Sequence, residues 1–139
     1  MFSFKYVTVN DRDFWFSLDK HISIIELNKK IRDKKGYVMF LNDKPIGVLR
    51  YSLFWDSIPF VNMLYIHNDY QGKGYGKAFC KFFEDDMKAL GHGMVMTSTQ
   101  SDETAIYFYK KIGYYECGYL DFSIEGYEQP REIVLNKKI

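Results

Sequence analysis

From His67 the chain reads HNDYQGKGYGKAFCKFF, which sets Gly72, Gly74 and Gly76 two residues apart just before a stretch whose apolar members repeat at helical spacing. Glycine lacks Cβ, so backbone N–H groups around it can come close to a ligand. The start of a helix adds unpaired donors and the positive end of its dipole. Phosphate is the natural guest of such a place. The two familiar nucleotide patterns do not fit. The dinucleotide fingerprint G-x-G-x-x-G would need glycine where Lys77 stands, and a Walker loop ending in Gly76-Lys77 would need its opening glycine at Gln71 and its closing hydroxyl at Ala78. On this segment alone, a phosphate cradle of another kind and a ligand-free strand-to-helix turn both stand open.

The surrounding elements supply the context. Residues 2–9, FSFKYVTV, alternate and are rich in β-formers, which predicts a strand. From Asn10 the apolar spacing of Phe14, Leu18, Ile22, Ile25, Leu27 and Ile31 predicts two helices broken near Asp19, packed on one sheet face. Strands flank the turn Asn42-Asp43-Lys44-Pro45, and residues 58–67 form a further strand that runs into the glycines. After them Phe79, Phe82, Phe83, Met87 and Leu90 mark a helix ended by Gly91. MVMTST predicts a short strand, and Asp102 is placed to cap a helix carrying Ala105, Ile106, Tyr109 and Ile112 that stops at Gly113. Strands near 114–121 and 131–137 complete the chain. The mixed order implies an α/β or α+β sheet with helices on both faces.

Length and composition narrow the function. The 139 residues suit one domain, 1–139, with a single substantial core. Nineteen basic against eighteen acidic residues, with no long like-charge block, argue against a nucleic-acid arm or a membrane patch. No stretch reaches the length of a membrane span and no leader pattern opens the chain, so a cytoplasmic protein is expected. Cys80 and Cys117 lack metal-ligand spacing and are expected as free thiols in or near the core; no metal is expected. Aromatic residues make up 19% of the chain, enough for a bulky core and also for a ring-lined pocket.

YIHNDYQGKGYGKAF, followed further on by SDETAIYFYKKIGY, resembles the GCN5-related N-acetyltransferase superfamily, whose signature is Q/R-x-x-G-x-G/A after a strand. Here that signature is Gln71-Gly72-Lys73-Gly74-Tyr75-Gly76. The second segment is similar to the family's A-x-x-x-Y followed by G-F/Y, and the likeness covers residues 36–120 well and the N-terminal helices loosely. The resemblance implies a central mixed, mostly antiparallel sheet of six to seven strands and acetyl-CoA as donor. It implies that backbone N–H groups from Gln71 through Lys77 hold the CoA pyrophosphate, with Lys73 and Lys77 adding charge. It also implies that Leu64, Tyr65 and Ile66 bond the pantetheine arm through their backbone, where one N–H can polarise the thioester carbonyl. Asp102 stands where the family often has an asparagine that helps to hold the arm. Tyr109 matches the family tyrosine that protonates the CoA sulfur, whereas Tyr107 points to another helix face.

Acetyl transfer to an amine needs a neutral amine, a stabilised oxyanion and a proton for the leaving thiolate. Where many members of the family carry a glutamate this chain has Asn62, and the next strand offers Thr97; neither takes a proton at neutral pH. Neutralising a lysine-like amine of pKa ~10.4 at pH 7 costs roughly 4.6 kcal/mol, against about 1.4 for an α-amine near ~8, so the chain leans toward a less basic amine or a water relay. His67, His21 and Glu26 are the other titratable candidates, each also readable as a solvated or structural residue. In the family, acceptor specificity comes from the first two helices and the loop between the third and fourth strands, which here hold His21, Phe14, Trp15, Phe54, Trp55 and Asp56. Rings with one carboxylate suit a cationic, partly apolar amine, although Phe54 and Trp55 could equally close the core. The expected activity is therefore N-acetylation of a small-molecule or peptide amine. The alternatives are a non-catalytic acyl-CoA-binding regulatory module and an acetyltransferase of protein N-termini or lysines. A homodimer stays open.

Overall fold

Alternation along the N-terminal strands decides which side chains meet which helices. The computed structural model describes residues 1–139. Its elements are β1 (Phe2–Tyr6), α1 (Arg12–Leu18), α2 (Ile24–Asp33), β2 (Gly36–Leu41), β3 (Lys44–Phe54), β4 (Ile58–Ile66), α3 (Tyr75–Ala89), β5 (Met94–Gln100), α4 (Ala105–Lys111), β6 (Tyr115–Leu120) and β7 (Glu132–Lys138). Short 3-10 turns occupy Val9–Asp11 and Asn68–Tyr70. The strands form one seven-stranded mixed sheet in the order β1-β2-β3-β4-β5-β7-β6. The chain packs as two compact units, one of Met1–Ser52 with Asn62–Asp86, the other of Leu53–Val61 with Met87–Ile139.

In the first unit β1, β2 and β3 form an antiparallel meander in which Tyr6 opposes Tyr37 and Val38 opposes Val48. Successive side chains of β2 point to opposite faces. Val38 joins Val7, Trp15, Leu27 and Val48 in a buried cluster flanked by Phe14, Phe16 and Leu18 of α1, Ile22 of the connection and Ile31 of α2. Tyr37 faces the other way, edge-on to Phe82 of α3 at 5.2 Å between centroids, while Phe4 stacks on Phe82 at 4.3 Å. Helices thus cover both faces of this unit's strands, as the mixed element order suggested.

Several boundaries differ from expectation. β1 ends at Tyr6 because Thr8 opens a capping box with Asp11, whose carboxylate accepts from the Thr8 amide at 2.8 Å. The first hairpin turns on Asn42 and Asp43 alone, with φ of 49° and 67°, and Lys44 and Pro45 already pair within β3. α4 is preceded by Thr104 at the N-cap, so Asp102 lies in the turn before it and caps nothing.

The second unit carries the parallel rungs Phe60–Met96 and Val61–Thr97 of β4 and β5, then β7 antiparallel between β5 and β6. β6 holds an irregularity between Glu116 and Gly118, and all its residues are exposed, Cys117 included. Only Cys80 is buried. The expectation of two core thiols therefore fails at Cys117, because an alternating strand pattern does not reveal that an edge strand lies open on both faces.

Candidate functional site

The segment after β4 is braced by polar side chains before it reaches the glycines. His67 Nδ1 accepts from the Asp69 amide at 3.1 Å, which gives this histidine a capping job. Gln71 Nε2 donates to the Ile66 carbonyl at 2.8 Å and to Asn68 Oδ1 at 3.2 Å, and the Tyr65 hydroxyl donates to the same oxygen at 3.0 Å. The loop is thereby tied back to the end of its own strand. Gly72 and Gly74 then take φ of 74° and 87°, a region L side chains avoid. A Cβ built on either would meet nothing within 4 Å, so backbone conformation and an open approach, rather than packing, select glycine. The helix ladder of α3 starts with the Ala78 amide bonded to the Gly74 carbonyl at 3.1 Å. The amides of Tyr75, Gly76 and Lys77 precede that first rung and have no acceptor within the helix. Exposed Lys73 and Lys77 flank them. Such a run of donors beside positive charge suits a phosphate diester.

Leu64 and Tyr65 are half-buried and Ile66 is buried at the end of β4. These residues join the glycine loop within the first unit.

Tyr109, Thr97 and Thr99 belong to the second unit. The β4–β5 ladder ends at Val61–Thr97, where the Thr97 hydroxyl donates to the Val61 carbonyl at 3.1 Å. That hydroxyl is therefore committed to holding the last rung. In the β5–β7 ladder Val95, Thr97 and Thr99 oppose Lys137, Leu135 and Ile133, and opposed residues share a face. Lys137 lies over Tyr114 and beside Gly113 at the end of α4, so Thr97 and Thr99 face the side that α4 covers. Tyr109 is buried on α4, edge-to-face with Tyr114 at 5.3 Å between centroids, whereas Tyr107 is exposed. The different-face expectation for the two tyrosines holds. Thr99 is 6% exposed and its Oγ1 has no hydrogen-bond partner. Nothing in the sequence marks Thr99 apart from Thr97; only the point where the ladder stops separates them.

The aromatic candidates divide. Trp15 is fully buried, with Nε1 donating to Asp19 Oδ2 at 3.0 Å, which makes it core and removes it from any acceptor wall. Trp55 is 78% exposed and Phe54 37%, so the option that both close the core is overturned. Asn62, Asp56, His21 and Glu26 are exposed, Glu26 paired with Lys29 at 3.2 Å. Asp19 was passed over as a helix breaker. It is fully buried and accepts from Trp15, from Arg50 Nε at 2.7 Å and from the His21 amide at 3.0 Å. Burial alone would raise its pKa, but these three donors hold its carboxyl below the ordinary range. Asp86 on α3 was also missed. It accepts from Tyr37 at 2.5 Å and from Tyr6 at 3.3 Å; burial first, then this carboxylate, pushes the Tyr37 phenol well up and Tyr51 up to about 12. No cluster of three or more His, Cys, Asp or Glu could hold a metal, and no helix is long and apolar enough to cross a membrane.

Residues 5–114 match the family model described as Acetyltransferase (GNAT) family. No curated protein matches the sequence significantly. Among solved structures, Ard1 from Thermoplasma volcanium superposes with a TM-score of 0.84 at 14% identity, over 99% of this chain and 97% of that one. Arabidopsis thaliana Naa50, in complex with the bisubstrate analogue CoA-Ac-MVNAL, gives 0.81 at 17% identity over 99% of both chains. A GNAT family acetyltransferase from Elizabethkingia anophelis with acetyl-CoA bound gives 0.77 at 16% identity, over 99% and 98%. These likenesses show a shared fold.

Proposed function

The chain belongs to the acetyltransferase (GNAT) family, and we propose that it moves the acetyl group of acetyl-CoA to a primary amine by direct attack in a ternary complex. The observation that carries this reading is the glycine loop: two left-handed glycines open to approach, followed by the free first-turn amides of α3. In this reading the amides from Gln71 to Lys77 hold the pyrophosphate, with Lys73 and Lys77 as counter-charges. The backbone of Leu64, Tyr65 and Ile66 bonds the arm, and one of those amides polarises the thioester carbonyl. Tyr109 supplies a proton to the departing sulfur. The solved relatives that carry acetyl-CoA or a CoA conjugate support the choice of donor.

Asp102, exposed and outside the helix cap, keeps only a peripheral place beside the arm in this proposal. Proton removal from the amine falls to water, since Asn62 is no base and the Thr97 hydroxyl is already engaged. This missing base favours one second reading, an acyl-CoA-binding module without turnover. A peptide amine is the other acceptor class, supported by the peptide portion of the analogue bound to Naa50. The donor site is tested by calorimetry with CoA. Gly74→Glu puts a carboxylate into the space beside the loop's donors and forces a side chain onto φ of 87°. Affinity should be lost while far-UV circular dichroism is retained; a folded mutant that binds CoA as wild type does would remove the phosphate assignment. Gly74→Ala, which adds only the Cβ, should weaken binding less and cost about 1–2 kcal/mol of stability.

A further inference from the structure

Strand β6 is an edge of the sheet with every residue exposed. Its Tyr115, Tyr119 and Leu120, with Phe122, Ile124 and Tyr127 of the segment that follows, are between 41% and 74% exposed. At roughly 200 Å² for a full ring, these side chains bare about 700 Å² of apolar surface, more than the ~300–600 Å² of the largest patch on a typical monomer. That area approaches the ~800 Å² that each partner gives to a stable protein interface. The charges beside it are neutralised at home. Glu116 pairs with Lys110 at 2.8 Å and Asp121 with Arg131 at 2.8 Å. A strongly charged partner therefore has little to meet, and two copies of the strand can approach without repulsion. Gly118 points to the same partner. Its φ lies outside the left-handed region and a Cβ there would meet nothing within 4 Å, so neither backbone angle nor packing within the chain selects glycine. Glycine inside a strand often marks the close approach of another backbone.

The bulge in β6 decides the register of such an approach. β6 slips against β7 between Glu116 and Gly118, where Cys117 is the extra residue. Tyr115, Gly118 and Leu120 oppose Asn136, Val134 and Glu132, whereas Glu116 and Tyr119 oppose Leu135 and Ile133 on the face that α4 covers. The ion pair from Glu116 to Lys110 of α4 agrees with that assignment. Without the slip Tyr115 and Leu120, an odd number of residues apart, would lie on opposite faces; with it they share one. A bulged edge resists pairing in most registers. One register survives here. Two antiparallel β6 strands related by a two-fold axis between Cys117 and Gly118 set Tyr115 against Leu120 of the copy and Glu116 against Tyr119, so that these opposed pairs share a face. A shift of one residue breaks the match. We propose that β6 is the contact of a two-fold homodimer in this register, the two strands continuing one sheet across the axis. The inference is independent of the acetyl-transfer reading.

The test measures the mass of the full chain by sedimentation equilibrium, together with thiol cross-linking. Wild type should be a dimer at about 10 μM and above. In the proposed register the two copies of Cys117 fall within the ~4.4–6.8 Å between Cα atoms that a short thiol bridge spans. Cys80 is buried, so bismaleimidoethane should link the copies through Cys117 alone, and Cys117→Ser should prevent the link. Tyr115→Glu combined with Leu120→Glu sets like charges opposite one another and should weaken the dimer at least about 100-fold. Tyr115→Glu combined with Leu120→Lys sets opposite charges in the same pairs and should return it to within about tenfold of wild type. All of these side chains are exposed, so far-UV circular dichroism should be unchanged throughout. A chain that stays monomeric at about 200 μM overturns the inference and leaves the apolar band to a different partner. A dimer that neither cross-links through Cys117 nor distinguishes the two double substitutions overturns it as well.

Discussion

Tyr109 and Thr99 share a covered face of the second unit and answer to different measurements. A phenol protonates a thiolate against an unfavourable pKa difference in bulk water, so its use depends on position. Tyr109→Phe keeps the ring against Tyr114 and removes the proton, which should lower kcat by about 10²–10⁴-fold with CoA affinity nearly level. The alkaline limb of the rate profile should move or vanish with it. Unchanged kcat and an unaltered profile would return Tyr109 to the core. Thr99 makes a stability prediction. Its buried hydroxyl lacks a partner, so Thr99→Val, equal in shape, should raise stability by about 1 kcal/mol in urea titration. A loss of stability would mean that the hydroxyl is bonded in solution. Glycines 72 and 74 were legible from the sequence because only glycine takes their backbone angles without strain. Thr99 was not, since satisfaction of a hydroxyl depends on where a ladder stops.

The connection between α1 and α2 depends on one buried ion pair. Asp19 receives Trp15 from α1, Arg50 from β3 and the amide of His21, so the carboxylate ties a helix, a strand and a loop together. Asp19→Asn leaves Arg50, itself mostly buried, without its counter-charge, and should cost about 3–5 kcal/mol. The folded carboxyl titrates below its unfolded value of ~3.9. Its contribution is therefore complete above that value and is lost as the pH falls through the lowered one. Wild type and mutant should differ by a constant amount from about pH 5 to 8 and converge in stronger acid. A gap independent of pH down to acid unfolding would assign the effect to shape. For two tyrosines on β2 and β3 the sign reverses. Tyr37 and Tyr51 are held neutral above the ordinary ~10, so their stabilisation is present below that value and declines as the pH rises past it. Absorbance of ionised tyrosine should show these two titrating only as the fold melts. The sequence placed α1 and α2 correctly but read Asp19 as a break in periodicity, because spacing carries no information about an arginine 31 residues away.

For the molecule as a whole, strand and helix order was readable wherever apolar spacing, Gly91 and Gly113 punctuated it. The order of β6 and β7 within the sheet was not, since β7 inserts beside β5 and leaves β6 at the edge. That edge position also explains why Cys117, expected in or near the core, is exposed with the whole of β6. Trp55 was ambiguous for a related reason: a tryptophan after a strand reads alike whether the hairpin folds it inward or holds it out. Fold and family leave one division, between an enzyme and a binding module, and the glycine loop is compatible with both. Thiol release from acetyl-CoA, followed together with the mass of the amine over a panel of polyamines, amino acids, aminoglycosides and peptides, separates them directly. The prediction is one acetylated amine per thiol released, intersecting double-reciprocal lines for the two substrates and no acetyl group on the protein. Tight CoA binding with no amine-dependent thiol release from any member of the panel would contradict it.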